Sequence, residues 1–150
     1  MIIRKATSAD IPQMLKLGKM MHSEFHYSRF DYDENKVEFL MKFAVREDPH
    51  NMYIALVAEE DYEIQGGIIA KVEPMYFGKD LMAADFALFL APEHRGNLTA
   101  MSIIKEYVKM AKEKGAKYVI LGSTTGHHTD RIARLFERMG GKLVGPVYEF

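Results

Sequence analysis

Residues 81–111, LMAADFALFLAPEHRGNLTAMSIIKEYVKMA, decide how we expect this chain to fold. The apolar run over 81–90 predicts a buried strand, and a long amphipathic helix follows it after the polar turn at 93–97. A helix start presents unpaired N–H groups that favour an anion, Gly96 allows close backbone approach, and Arg95 adds a cation. The stretch therefore predicts a phosphate-binding turn, although an ordinary strand-to-helix connection with one solvated Arg has the same outline.

The composition is that of a globular protein, with 150 residues, 48% apolar and 27% charged residues. This size predicts a single domain over residues 1–150. The net charge of -1 gives no basic field that would indicate nucleic acid as the main partner. No apolar run approaches the length of a membrane span, and the first ten residues do not resemble a signal peptide, so we expect a cytoplasmic protein. With no cysteine, disulfides and thiol chemistry are excluded.

The chain before residue 50 predicts one strand and two helices. Ile2 to Lys5 is a short strand candidate, and Thr7 and Asp10 have the spacing of a capping box before a helix that runs to about His22. A second, shorter helix is predicted over 37–44.

Between these helices lies a segment, 25–33, that is dense in aromatic residues and has no clean period. Aromatic loops line apolar ligand sites, but they also cover an exposed core, and the sequence favours neither interpretation.

Two strands over 52–59 and 64–72, joined by a short polar turn, predict an antiparallel hairpin. Gly66-Gly67 inside the second strand indicates a bulge or a close approach by a neighbour.

After the long helix, which Gly115 ends, a short strand is predicted over 118–121, and its order along the chain implies a parallel pair with the strand at 81–90. The polar loop over 122–129 then lies at the sheet edge where ligands bind in open α/β sheets. Thr129 or Asp130 is expected to cap a last helix with one apolar face, Ile132, Leu135, Phe136 and Met139.

The last residues, 143–150, predict one or two closing strands, interrupted or placed at an edge by Pro146. Strands at the end of the chain could extend the sheet across a homodimer.

Two segments resemble the GNAT superfamily of acyl-CoA-dependent N-acetyltransferases. Residues 92–96, PEHRG, are similar to the family segment V-x-P-E-x-R-G, and 133–140, ARLFERMG, to the closing helix A-x-x-L-Y-E-K-x-G-F. The resemblance covers essentially the whole chain. It implies an α/β (α+β) fold, with a mixed, mostly antiparallel sheet of about six to seven strands around a central parallel pair, flanked by about four helices. The short FG-x-D segment at 77–80 further looks like acetyltransferases of phage or plasmids.

The resemblance implies acetyl-CoA as co-substrate. The family's cofactor motif, [Q/R]-x-x-G-x-[G/A], falls on residues 95–100, where Leu98 replaces the usual Gly, so that either the turn differs locally or the Leu98 side chain points into the sheet. Backbone N–H groups supply most of the phosphate contacts in such a turn, and Leu still carries one. The implied cofactor-binding residues, including two strand residues beside the pantetheine arm, are Phe89, Leu90, Arg95, Gly96, Asn97, Leu98, Thr99 and Ala100.

The resemblance also implies a carboxylate base on the strand at 81–90 and a Tyr on the last helix that protonates the departing sulfur. Asp85 lies at about the expected position for the base, although it also fits a solvent-facing strand residue. Phe136 stands where the Tyr is expected and has no proton to donate. The substitutes on the adjoining loop are His127, His128, Ser123 and Thr124, of which His127 is our candidate because histidine titrates in the right range. No spacing predicts a metal site.

The acceptor wall implied by the resemblance is the aromatic segment, with Phe25, Tyr27, Phe30 and Tyr32 as candidate substrate-binding residues. Nearby Glu24, Asp31 and Asp33 could attract a cationic amine. The leading hypothesis is direct transfer of acetyl to a primary amine of a small molecule or protein, since there is no Cys to form an acyl-enzyme. The alternatives are a non-catalytic acyl-CoA- or partner-binding module of the same fold and a modifier of a host macromolecule.

Overall fold

The computed structural model describes residues 1–96, 98–126 and 128–150. These form one five-stranded sheet and four α-helices. The strands are β1 (Ile2–Lys5), β2 (Tyr53–Glu60), β3 (Glu63–Pro74), β4 (Leu81–Leu90) and β5 (Ala116–Val119). The helices are α1 (Ile11–Glu24), α2 (Glu34–Ala44), α3 (Leu98–Glu113) and α4 (Thr129–Arg138). The predicted mixed α/β class is confirmed.

The sheet order is β1-β2-β3-β4-β5, antiparallel except for the parallel β4–β5 pair. Both the predicted hairpin and the parallel pair are therefore confirmed. The sheet has five strands in the described residues, fewer than the six to seven expected, and the parallel pair lies at its edge rather than at its centre.

The closing strands predicted over 143–150 are wrong for this structure, because none of these residues is assigned to a strand. Pro146 has no N–H to donate halfway along the segment, which interrupts any ladder there. The apolar side chains of this segment stay in solvent, Phe150 and Val147 among them. The basis for a sheet extended across a homodimer is removed with these strands.

The capping box predicted at Thr7 is confirmed, and the Thr7 hydroxyl and N–H both donate to the Asp10 carboxylate. At α4 the expected cap is wrong. The N-cap is His128, which has a left-handed backbone (φ 52°), and no side-chain capping bond forms.

Two apolar cores lie on opposite faces of the sheet. One face packs against α3 through Ile103, Tyr107 and Met110. The other packs against α1 and α2 through Met14 and Met41. Burial of both faces supplies the main driving force for folding. No helix in the described part of the chain is long and apolar enough to span a membrane.

The Gly66-Gly67 prediction is confirmed as a close approach. A Cβ at Gly67 would lie 2.5 Å from the carbonyl oxygen of Leu56, and one at Gly66 would lie 2.8 Å from that of Phe89. The glycines therefore let β3 sit between its two neighbours, next to a register shift at Ala58/Glu59.

Candidate functional site

The parallel pair stops early and leaves part of β4 open. Pairing runs from Leu81 with Ala116 to Ala83 with Val119, and one further bond joins the Ile120 N–H to the Ala83 oxygen at 2.9 Å. From Asp85 to the end of β4, no described strand pairs with this edge. The open edge, which we define as residues 85–90, spans ~16 Å at the usual rise of a strand.

Asp85 lies on β4 at the point where the pairing of β4 with β5 ends. Its Oδ1 accepts the Gly122 N–H at 3.2 Å. Burial raises the pKa of Asp85, while this bond and its own backbone N–H oppose the shift. A carboxyl with a raised pKa is a better proton acceptor than an ordinary aspartate, which fits the role predicted for it.

The predicted phosphate turn lies at the far end of the open edge. Gly96 has a φ of +79°, a conformation that L side chains rarely adopt, and a Cβ built there would lie 2.5 Å from Nη2 of Arg131 on α4. The guanidinium of Arg131 therefore lies directly against the turn. The sequence interpretation missed this residue, since it treated α4 only as an apolar face.

A cleft of about 390 Å³ follows from this approach of α4 to the turn. Its lining is Gly96, Leu98, Met101, Leu135 and Arg138. The Leu98 side chain is 74% exposed, so the expectation that it points into the sheet is wrong. The bulk that replaces the family glycine lies in the cleft wall instead.

Arg95, predicted as the phosphate cation, has a protein partner. Its Nη2 lies 2.5 Å from Oε2 of Glu24, its Nε donates to the Leu90 carbonyl at 3.2 Å, and its guanidinium lies 5.5 Å from the Phe25 ring centre. The residue thus ties the turn to the end of α1.

Phe89 and Leu90 differ in what their backbones face. Ala91 donates its N–H to Gln65 on β3, and alternate residues of a strand point the same way, so the N–H and C=O of Phe89 face β3 as well. Only Leu90 of the predicted pair faces the open edge. The Phe89 side chain is buried in the core beneath α1 and α2.

The remaining predicted cofactor residues divide into buried and undescribed ones. Thr99 and Ala100 are buried, and the Thr99 hydroxyl contacts the Met1 sulfur at 3.2 Å. Asn97 and the candidate acid His127 lie outside the described residues.

The aromatic segment packs against the loop that follows β5. The Tyr27 hydroxyl hydrogen-bonds the Thr124 hydroxyl, and Gly126 lies beside the His26 ring. Phe30 is 54% exposed, whereas the Tyr32 hydroxyl is buried with no hydrogen-bond partner among the described residues. Thr124, a candidate sulfur acid, is therefore engaged with Tyr27.

Most of the acidic residues that were expected to attract an amine already bind other groups of the protein. Glu24 binds Arg95, and Asp33 caps α2 by accepting the Lys36 N–H at 3.0 Å. Asp31 is exposed. In the residues that the structure describes, no cluster of His, Cys, Asp and Glu could hold a metal ion.

The fold defines an acyltransferase, in which a strand edge connects the Asp85 carboxyl to the turn at Gly96. The Acetyltransferase (GNAT) family model matches residues 16–141, and the chain belongs to this family. No protein of curated function matches the sequence.

Solved acetyltransferases share the fold at low identity. An aminoglycoside acetyltransferase from an uncultured soil metagenomic sample has a TM-score of 0.74 at 17% identity, covering 99% of this chain and 93% of that one. The aminoglycoside 6′-N-acetyltransferase of Acinetobacter haemolyticus has a TM-score of 0.72 at 14% identity, with 100% and 97% covered. The ribosomal-protein-alanine N-acetyltransferase of Brucella melitensis has a TM-score of 0.71 at 16% identity, with 99% and 96% covered.

Proposed function

We propose that this chain transfers an acetyl group from acetyl-CoA directly to a primary amine. The observation that carries the proposal is the open edge of β4, because it connects a carboxyl of raised pKa to a turn suited to phosphate. A ligand held by its phosphates at Gly96 can reach Asp85 along this edge. Family membership supports acyl transfer, and the geometry supports the choice of donor.

The phosphates of acetyl-CoA would lie at the turn. Backbone N–H groups at the start of α3 suit an anion, Gly96 allows the left-handed backbone of the turn, and Arg131 adds a positive charge from α4. We assign Arg95 mainly to holding the turn, since its guanidinium already binds Glu24. Acetyl-CoA supplies an activated acyl group as a thioester.

Asp85 is proposed as the base. A primary amine is mostly protonated near neutral pH and must lose a proton before it can attack a carbonyl carbon. Oδ1 of Asp85 holds the Gly122 N–H, which leaves Oδ2 to accept that proton directly or through one water. The C–N bond then forms as the C–S bond breaks, and the nitrogen loses its second proton to water.

The departing thiolate needs little help, which accounts for Phe136 in place of the family tyrosine. A thiol has a pKa of ~8.5, so its conjugate base leaves and takes a proton from water without a dedicated acid. His127 stays a prediction for this step. The wall of the acceptor site is proposed to be the aromatic segment, with Tyr27 and Phe30 exposed in it.

The test is release of free thiol from acetyl-CoA in the presence of an amine panel. Because the chain has no cysteine, a thiol reagent detects only the CoA produced. The panel contains an aminoglycoside, a polyamine and a peptide that begins with alanine, and product mass should rise by one acetyl group.

If acetyl-CoA binds but no amine in a broad panel releases thiol, the transfer proposal is wrong and the binding-module alternative replaces it. Acetyl-enzyme detected by mass spectrometry before amine is added would instead overturn direct transfer.

A further inference from the structure

Two backbone groups that would continue the β4–β5 ladder are bound by side chains instead. After the Ile120 bond to Ala83, a regular parallel ladder would join the Asp85 N–H to the Ile120 carbonyl, and then the Gly122 N–H to the Asp85 carbonyl. In this structure the Ile120 carbonyl accepts the Tyr107 hydroxyl at 2.9 Å, and the Gly122 N–H donates to the Asp85 side chain.

Tyr107 is placed to act on β5 from the helix layer. It lies on α3, its side chain is fully buried in the core beneath the sheet, and its hydroxyl reaches the strand end from there. Burial raises the pKa of Tyr107, so the hydroxyl stays protonated and acts as the donor. A bond from α3 competes with the in-plane bond to the Asp85 N–H that a continued ladder would require.

The end of the β4–β5 ladder determines whether the open edge can bind a ligand. If the ladder continued, β5 would cover the backbone groups of β4 from Asp85 onward, and a ligand could not lie between Asp85 and the turn at Gly96. We propose that Tyr107 is a positioning residue for the acyl donor. Together with the Asp85–Gly122 bond and the register shift of β4 at Phe86, it ends the β4–β5 ladder and so keeps this edge open. The inference rests on the proposed function, since the donor is the ligand that would occupy the edge.

The test compares two ligands on the Tyr107→Phe variant, which removes one oxygen and keeps the ring in the core. Acetyl-CoA carries the acyl arm, whereas adenosine 3′,5′-bisphosphate carries phosphates without an arm. By calorimetry we expect acetyl-CoA to lose about three- to tenfold in affinity, the effect of one hydrogen bond, with the bisphosphate unchanged. Tyr118→Phe is the matched control, because it removes a hydroxyl from a half-exposed position on β5.

The outcomes separate the inference from the proposed function. Unchanged acetyl-CoA affinity in Tyr107→Phe, or an equal loss for both ligands, would overturn the positioning role, the second because it signals general loosening of the fold. A similar loss in Tyr118→Phe would overturn it too. If the unaltered protein binds no acetyl-CoA, the proposed function fails first and the inference fails with it.

Discussion

The two edges of β4 differ although they belong to one strand. Its antiparallel ladder with β3 runs from Leu81 to Leu90 with one register shift, which leaves Phe86 unpaired opposite Ile69 and Ala70, whereas its parallel ladder with β5 stops after Ala83. Side chains make the difference. On the β3 side, glycines let the strands approach, and on the β5 side, Asp85 and Tyr107 bind the backbone groups that pairing would use.

This difference separates stability from chemistry within one sheet. A fully paired edge satisfies every backbone donor and acceptor and has nothing to offer a ligand. An edge left open can bind an extended ligand as a strand would. Substitutions on the paired side should therefore change the melting temperature, and those on the open side should change binding and turnover.

The largest effect is expected at Asp85, on the open side. Both Asp85→Asn and Asp85→Ala remove the base, and kcat should fall about 10²- to 10⁴-fold, as general-base loss typically does. The amide of Asn still offers an oxygen to the Gly122 N–H, so only Asp85→Ala should also weaken acetyl-CoA binding. Steady-state kinetics with calorimetry on both variants measures the two roles separately.

The pH dependence of kcat tests whether Asp85 acts as the base. The base works only when ionised, so kcat should fall as pH decreases through its pKa, which burial places above the 3.8 of an ordinary aspartate. The Asp85→Asn variant should not show this decrease in kcat at low pH. If the Asp85→Asn variant keeps the decrease in kcat at low pH, or keeps full turnover, the base is another group.

The next effect is expected at Asp10, which holds β1 in the antiparallel part of the sheet. Arg4 on β1 binds this buried carboxylate through both Nη atoms at 2.8 Å, and with the Thr7 bonds it lowers the Asp10 pKa from 3.8 to about 2. That shift corresponds to about 2 kcal/mol of stability, present above pH ~4 and lost as pH falls towards 2. Asp10→Asn should lower the unfolding free energy by about this amount at pH 7.

Denaturant unfolding at several pH values measures that difference, with the exposed Asp31→Asn as control. The gap from the unaltered protein should narrow below pH 4, while the acetyl-CoA Kd stays unchanged. A gap that does not depend on pH would mean that the ion pair does not anchor β1.

At the turn, Gly96→Val should weaken acetyl-CoA about tenfold or more, equivalent to ~1.4 kcal/mol. A side chain is strained at φ +79°, and it would displace the Arg131 guanidinium. The fold should survive with a lower melting temperature. Gly78→Val is the control, since a Cβ at Gly78 has nothing within 4 Å. Unchanged affinity in Gly96→Val would place the phosphates elsewhere.

The antiparallel strands β2, β3 and β4 could be predicted well from the sequence, because the patterns that indicate them lie within short stretches of the chain. Apolar runs, a polar turn and a glycine pair marked β2, β3 and β4, and β4 begins and ends as expected. The predicted apolar face of the last helix is half-buried, through Ile132, Leu135 and Phe136 of α4 and its C-cap Met139. The closing strands failed because strand propensity does not provide a partner strand, and Pro146 interrupts the segment.

The open side depends on contacts between distant residues, which periodicity does not reveal. Tyr107 reads as one more apolar position of α3, and nothing in the sequence pairs it with Ile120. Asp85 and the turn were predictable from the resemblance. The pairing of Arg95 with Glu24, and the approach of Arg131 to Gly96, required the structure.

The smallest expected effect is at Arg131, which tests whether α4 completes the turn. Arg131→Gln should weaken acetyl-CoA about three- to fivefold at low salt, because an exposed charge near an anion contributes ~1 kcal/mol or less. Salt screens such a contribution, so the variant and the unaltered protein should converge at high ionic strength. Arg134→Gln is the matched control, with the same change of charge at an exposed position of the same helix. Equal losses in both variants would show that net charge matters and position does not, and no loss in Arg131→Gln would leave the turn as the whole of the phosphate site.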